Sequence, residues 1–208
     1  LLHDKIEKNI DVDKKKNIIK VINLYKKGMS SDEIMEIYQS SINEVIIDAN
    51  GNEREDLSIE DLSEEEDKVI GAFTYTYNNE LFYPLYKSKD GIVIPISGKG
   101  LWSTLYGYFA LEMDMKTVKG ITFYKHGETP GLGAEVEKKW FQNNFIGKKI
   151  FDENSNLVSI TVYKGSSGDD IHGVDGISGA TVTSNGVTNF LKSILNNYKP
   201  YFERNIIR

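Results

Sequence analysis

The apolar residues Val187, Phe190, Leu191, Ile194, Leu195 and Tyr198 recur at three- and four-residue steps near the end of the chain. This is the period of a helix with one buried face. Such a helix is stable only when its stripe lies against another layer of structure, so the chain must supply a sheet or further helices to cover it. The run ahead of it, Asp175 to Gly186, is built from small and hydroxyl-bearing residues. Ser184 is the expected N-cap, its hydroxyl meeting free backbone N–H groups of the first turn. Those N–H groups and the helix dipole favour an anion, and Gly179 and Ala180 let backbone approach closely. From the pattern alone the commoner outcome is an ordinary capped helix after a tight turn, with a phosphate site as the alternative.

Several segments carry strand signals that could form the covering layer: Val45 to Ile47, Ala72 to Tyr77, Leu81 to Tyr86, Ile92 to Ile96, Val118 to Tyr124, and Leu157 to Tyr163 with Val158, Ile160 and Val162 alternating. The Asn78-Asn79 and Asp90-Gly91 pairs predict hairpin turns. Ser103 to Met113 is apolar and small, Ala134 to Ile146 reads as a helix, and the polar, glycine-rich Gly165 to Gly176 reads as a loop. Together these predict an α+β fold in which a mixed or antiparallel sheet packs with helices.

The first part of the chain has a pattern of its own. Ile18, Ile19, Ile22 and Tyr25 form a helical stripe after the polar Asp11 to Lys16 run, and Gly28 is placed to end it. Ser30-Ser31-Asp32-Glu33 resembles a capping box for a second short helix with Ile34, Ile37 and Tyr38 on its buried face. Met29 and Met35 read as gap-filling core residues. The acid-dense stretch from Asn52 to Lys68 lacks the alternating ligands and glycine turn of a calcium loop, so it reads as a solvated loop.

The net charge of −6 and the lack of a basic stripe exclude nucleic acid as a partner. No apolar run approaches the roughly 20 residues that span a bilayer. The absence of cysteine excludes a thiolate-held iron–sulfur cluster in this chain. His3, His126 and His172 are scattered, with no metal-ligand spacing, so no metal site is expected. Ser178, His172 and Asp175 could be assembled into a triad, but no Gly-x-Ser-x-Gly elbow surrounds the serine. No Gly-x-Gly-x-x-Gly dinucleotide fingerprint follows a strand.

Asp175-Gly176-Ile177-Ser178-Gly179-Ala180-Thr181 resembles the Asp-x-x-Ser/Thr-Gly-Ala-Thr motif of covalently flavinylated proteins. Gly127-Glu128-Thr129-Pro130-Gly131-Leu132-Gly133 is similar to the loop that lies near the flavin in the same proteins. Gly98-Lys99-Gly100-Leu101-Trp102-Ser103, Gly147 to Asn154, His172 to Asp175 and Val182 to Val187 continue the likeness, over roughly residues 95–200. The family resembled is the flavin-carrying C subunit of the sodium-translocating NADH:quinone oxidoreductase. A related family, the flavin subunit of Rnf-type ion-translocating electron-transport complexes, shares the two flavin motifs; the Gly-Leu-Trp-Ser and Thr-Ser-Asn-Gly-Val segments favour the sodium-translocating family.

The resemblance implies an N-terminal region over residues 1–95 and an FMN-binding domain over 96–208. It implies FMN joined to Thr181 by a phosphoester, relaying single electrons between NADH and quinone, with neither NADH nor quinone bound by this chain and no catalytic side chain. Ser178, Gly179 and Ala180 would shape the turn, and Thr183 would help cap the helix or bond the phosphate. Glu128, Thr129, Gly131, Leu132 and Gly133 would line the ring-facing side. Trp102 could stack on the ring, although core packing is the commoner role of a lone Trp. His126 is a neighbour of the site and not a required group. The resemblance also implies a separate flavin transferase that moves FMN from FAD with Mg²⁺, the other subunits of the complex as partners, and a single-pass anchor preceding Leu1. The domain would then be the soluble part of the protein, on the periplasmic side of the inner membrane.

Overall fold

The computed structural model describes residues 2–206, and side chains from Asn9 onward; His3 lies outside the described side chains. Helix α1 (Leu2–Val21) and helix α2 (Ser31–Ser41) lead into nine strands: β1 (Asn43–Asp48), β2 (Ser63–Asp67), β3 (Ala72–Tyr77), β4 (Glu80–Ser88), β5 (Gly91–Lys99), β6 (Thr104–Leu111), β7 (Val118–Lys125), and the short β8 (Thr161–Val162) and β9 (Gly173–Val174). The short helix α3 (Lys139–Asn143) follows β7, and the long helix α4 (Thr181–Asn205) closes the chain. The strands form one antiparallel sheet in the order β2-β3-β4-β5-β6-β7, with β1 also pairing β4, while β8 and β9 form a separate parallel pair. The α+β class expected from the sequence is the one observed. Strand β5 spans residues 95 and 96, where the two regions are expected to divide, so both regions contribute to one sheet.

Alternation along the central strands creates two cores. Ile92, Ile94 and Ile96 of β5 join Phe109, Leu111, Phe141, Val187, Leu191 and Leu195 on the α4 side. Val93, Tyr108 and Ala110 face the other way, toward Ile18, Ile19 and Ile22 of α1 and Ile34 and Tyr38 of α2. The sheet is therefore buried on both faces, which is why β5 reads as a nearly continuous apolar run. The Asn78-Asn79 turn is realised with both residues left-handed (φ 50° and 64°), as a type I′ hairpin requires.

Five expectations need correction. Helix α1 ends at Val21 and not near Gly28, because Asn23 (φ 65°) turns the chain left-handed and the Leu24 N–H donates to the Ile19 carbonyl. The Glu64 to Asp67 acids form the edge strand β2 and not a loop: pairing with β3 satisfies backbone while Glu64 and Glu65 keep their side chains exposed. The single helix expected over Ala134 to Ile146 breaks into a 3₁₀ turn (Gly133–Glu137) and α3. Extended backbone at Lys138 turns Trp140 outward and lets Val136, Phe141 and Phe145 all reach the core. The strand expected over Leu157 to Tyr163 is reduced to β8, since left-handed Ser159 (φ 67°) interrupts it. The Gly165 to Gly176 loop contains β9.

Candidate functional site

Three segments distant in sequence meet at the start of α4. Helix α4 begins at Thr181, earlier than a Ser184 cap would place it. Ser184 is not its N-cap: its backbone N–H already donates to the Ala180 carbonyl, and its side chain is buried. The N-cap position is Ala180, which has no side chain able to accept from the first turn. The first turn also carries no acidic residue. Helix starts ordinarily leave N–H donors that a cap, water or a ligand must satisfy. Here no protein side chain among the described residues does so.

Glu128 ties the segments together. It is 5% exposed, and its carboxylate accepts from the backbone N–H groups of Leu101 (3.2 Å), Trp102 (2.9 Å) and Ser103 (3.0 Å). The Thr183 hydroxyl donates to Oε2 at 2.7 Å, and the Ser103 hydroxyl donates to Oε1 at 3.3 Å while accepting from the Gly127 N–H at 2.7 Å. Desolvation pushes the Glu128 carboxyl upward, but these donors outweigh it and hold the group below the usual carboxylate range. Close approach makes two glycines necessary. A Cβ on Gly133 would lie 2.5 Å from Glu128 Oε2 and 2.7 Å from Thr183 Oγ1, and one on Gly186 would lie 2.2 Å from the Lys99 carbonyl oxygen. The 98–103 loop, the 127–133 loop and the first turn of α4 thus pack closely together.

The surface over this junction is apolar. Leu101, Leu132 and Val182 are exposed, and Trp102 is 69% exposed, so the core role expected for a lone Trp is not the one observed. Leu132 lies over Gly179: a Cβ there would come within 2.8 Å of Leu132 Cδ2. Thr129 closes the turn beneath, its carbonyl accepting from the N–H groups of Leu132 and Ala134 at 3.1 Å. Gly131 is left-handed (φ 73°) and exposed at the tip.

The sequence-selected residues separate into two groups. Thr181 is half-buried at the helix start, beside exposed Ser178 and Gly179, and Ala180 is buried beneath them. Thr183 is 1% exposed, with its proton committed to Glu128; it makes no cap. Glu128 and Gly133 lie below the surface, whereas Thr129, Gly131 and Leu132 lie on it. The Asp175 carboxylate accepts from the Ser167 N–H (2.6 Å) and hydroxyl (2.9 Å), which hold its carboxyl below the usual range. His172 is turned to the Lys149 carbonyl at 2.7 Å, so Ser178, His172 and Asp175 form no triad. His126 accepts the Glu128 N–H at 3.2 Å through Nδ1 and stands behind the loop. The anchoring of the 101–103 backbone by Glu128 escapes sequence reasoning; its one signal there is the co-occurrence of the Gly-Leu-Trp-Ser and Glu-Thr-Pro-Gly segments.

Comparisons with known proteins bear on the family and the fold. An FMN-binding domain model matches residues 100–196, which include all three converging segments except Gly98 and Lys99. The C subunit of the Na(+)-translocating NADH-quinone reductase of Haemophilus ducreyi is 38% identical over 213 residues, covering 93% of this chain and 80% of that protein. Its Pasteurella multocida counterpart is 38% identical over 200 residues, covering 88% of this chain and 75% of its own length. The crystal structure of the Parabacteroides distasonis counterpart superposes with a TM-score of 0.77 at 32% identity, covering 97% of each chain. With its FMN-binding segment, its fold and nearly its whole length shared in this way, the chain belongs to the family of Na(+)-translocating NADH-quinone reductase C subunits.

Proposed function

We propose that this chain is the electron-carrying flavoprotein subunit of a sodium-translocating NADH:quinone oxidoreductase, with FMN joined through its phosphate to Thr181. The observation that carries this reading is the contrast between the two threonines of the first turn. Thr183 is sealed and bonded to Glu128, whereas Thr181 is partly exposed and its hydroxyl bonds no protein group among the described residues. The fit of the site to the group rests on two further features. The uncapped N–H groups of α4 suit a phosphate, and the exposed Leu101, Trp102, Leu132 and Val182 suit a flat ring.

When bound, FMN supplies the one-electron chemistry. The chain's own residues would hold and shield it: Glu128 fixes the loop backbones, Leu132 and Trp102 would offer apolar contact, and the α4 amides would hold the phosphate. Among the described residues no carboxylate or imidazole is hydrogen-bonded to the Thr181 hydroxyl, and a free threonine is a weak nucleophile. Attachment is therefore assigned to a separate flavin transferase. Thr181 Oγ1 would bond to the FMN phosphorus of FAD, AMP would leave, and the hydroxyl proton would pass to a base of that enzyme. Family membership supports the remaining assignments: the other subunits of the complex as partners, an anchor ahead of Leu1, and the periplasmic face of the inner membrane.

Mass spectrometry after co-expression with a flavin transferase tests the reading. Added mass of one FMN moiety is expected on the wild-type chain and none on Thr181→Val. No addition to the wild type, or addition that survives Thr181→Val, overturns it.

A further inference from the structure

A concavity of about 650 Å³ lies on the α1 side of the sheet, opposite the α4 core. Its size is that of a small-molecule pocket. Helix α1 covers only part of that sheet face, packing Ile18, Ile19 and Ile22 near Val93 and Ala110. Under the earlier turns of α1 the sheet presents aromatic rings. Phe73 and Tyr106 stand with ring centres 5.5 Å apart, Tyr86 and Tyr108 meet edge to face at 6.1 Å, and Tyr108 stacks on Tyr124 at 5.6 Å. Such walls favour a flat, apolar body.

Tyrosine hydroxyls give the cavity directionality. Tyr38 and Tyr106 donate to Glu44 and Glu66. The hydroxyls of Tyr75 and Tyr86 donate to no protein atom among the described residues, and neither is sealed from the cavity they help to line. Burial pushes both phenols well above their ordinary range, so they remain neutral donors. The rim sets the charge of what enters. Among the described residues, Asp11, Asp13, Glu44, Glu60 and Glu64 share the rim with Lys14, Lys15 and Lys125. Lys15 is held by Asp11 at 2.7 Å and Lys14 lies 3.8 Å from Glu64. An anion would meet five carboxylates against three ammonium groups, one of which, Lys125, stands over the Tyr106 ring at 4.9 Å, and the carboxylates of Glu44 and Glu64 are already engaged by the Tyr38 hydroxyl and Lys14.

We propose that this cavity binds an uncharged, planar aromatic molecule whose oxygen atoms accept hydrogen bonds from Tyr75 and Tyr86. The site is separate from the Thr181 surface, on the other face of the sheet.

The test uses Thr181→Val protein, so its outcome does not depend on flavinylation. Coumarin is the probe, with naphthalene as a ring lacking acceptors and coumarin-3-carboxylate as an anion. Calorimetry and amide shifts in a nitrogen-15 spectrum should show one saturable coumarin site perturbing Tyr75, Tyr86 and Tyr108, with the carboxylate binding more weakly. Tyr75→Phe with Tyr86→Phe should weaken coumarin about tenfold, as loss of two neutral hydrogen bonds implies, and leave naphthalene unchanged. Unchanged naphthalene binding also reports an intact cavity; should the double variant not fold, Tyr86→Phe alone gives the same comparison with a smaller loss. Absence of saturable coumarin binding, equal coumarin affinity in the phenylalanine variants, or shifts confined to 128–133 and 178–183 overturns the proposal.

Discussion

The starts of α2 and α4 are built on opposite principles. At α2, Ser30 and Glu33 form a complete capping box: the Glu33 N–H donates to Ser30 Oγ at 3.2 Å, and the Ser30 N–H donates to Glu33 at 2.7 Å. Asp32 and Glu33 add negative charge where the helix dipole favours it. At α4, the longest helix among the described residues, the cap is an alanine and the first turn carries no acid. The hydroxyls nearby are spent elsewhere, Thr183 on Glu128 and Ser184 within the packed interior. The difference separates a helix end finished for stability from one whose donors stay available. The fold can leave α4 open because Glu128 pins the first turn from below while Val187, Leu191 and Leu195 anchor its stripe.

The largest effect expected from this contrast is the complete loss of FMN addition in Thr181→Val, read by mass spectrometry. Next comes Glu128→Ala. It removes the acceptor of three backbone N–H groups and the Thr183 hydroxyl, and should cost about 2–4 kcal/mol in urea unfolding, since partly buried donors are left unpaired. Its sign with pH follows from the lowered carboxyl. The folded-state value lies below the unfolded one, so the contribution is complete above the ordinary carboxylate value, about pH 4.3, and is lost as pH falls through the folded value. Glu128→Gln should flatten the acid limb of a stability–pH curve. An unchanged limb would mean that the carboxylate is not what joins the segments.

Ser30→Ala removes a cap that serves only structure. A loss of about 1 kcal/mol in thermal unfolding is expected, with FMN addition equal to wild type; a flavinylation defect would break the contrast. The smallest effect is expected from Ala180→Ser, which offers α4 the cap it lacks. The unmodified chain should gain about 0.5 kcal/mol, and FMN addition should fall, because the new hydroxyl competes for the same amides. Stabilisation without any change in flavinylation would show that those amides play no part in receiving phosphate.

The same contrast explains which features are legible in sequence. The Ser30 box is legible because both partners lie three residues apart. The Asn78-Asn79 turn is legible because left-handed backbone is a property of the residues themselves. The start of α4 is not, because Thr181, Thr183 and Ser184 suit a loop and a first turn equally. Glu128 reads as a ring-facing residue because its motif suggests exposure. Its bond to Thr183 crosses 55 residues, and only partners that distant make burial of the carboxylate tolerable. Trp102 gives no sign of its exposure, since a ring suited to the core is equally suited to a surface whose backbone is held by Glu128.

Residue order within short windows is enough to set the one-sided α4 stripe, the alternating strands, the local caps and turns, and the two flavin motifs, because each depends on residues within a few positions of one another. Packing at long range sets where α4 begins, that the Glu64 to Asp67 acids pair as an edge strand, and which of two threonines remains accessible. Those outcomes depend on partners far along the chain. Burying Thr183 and Glu128 is favourable only together, and once they are joined the threonine left at the surface is Thr181.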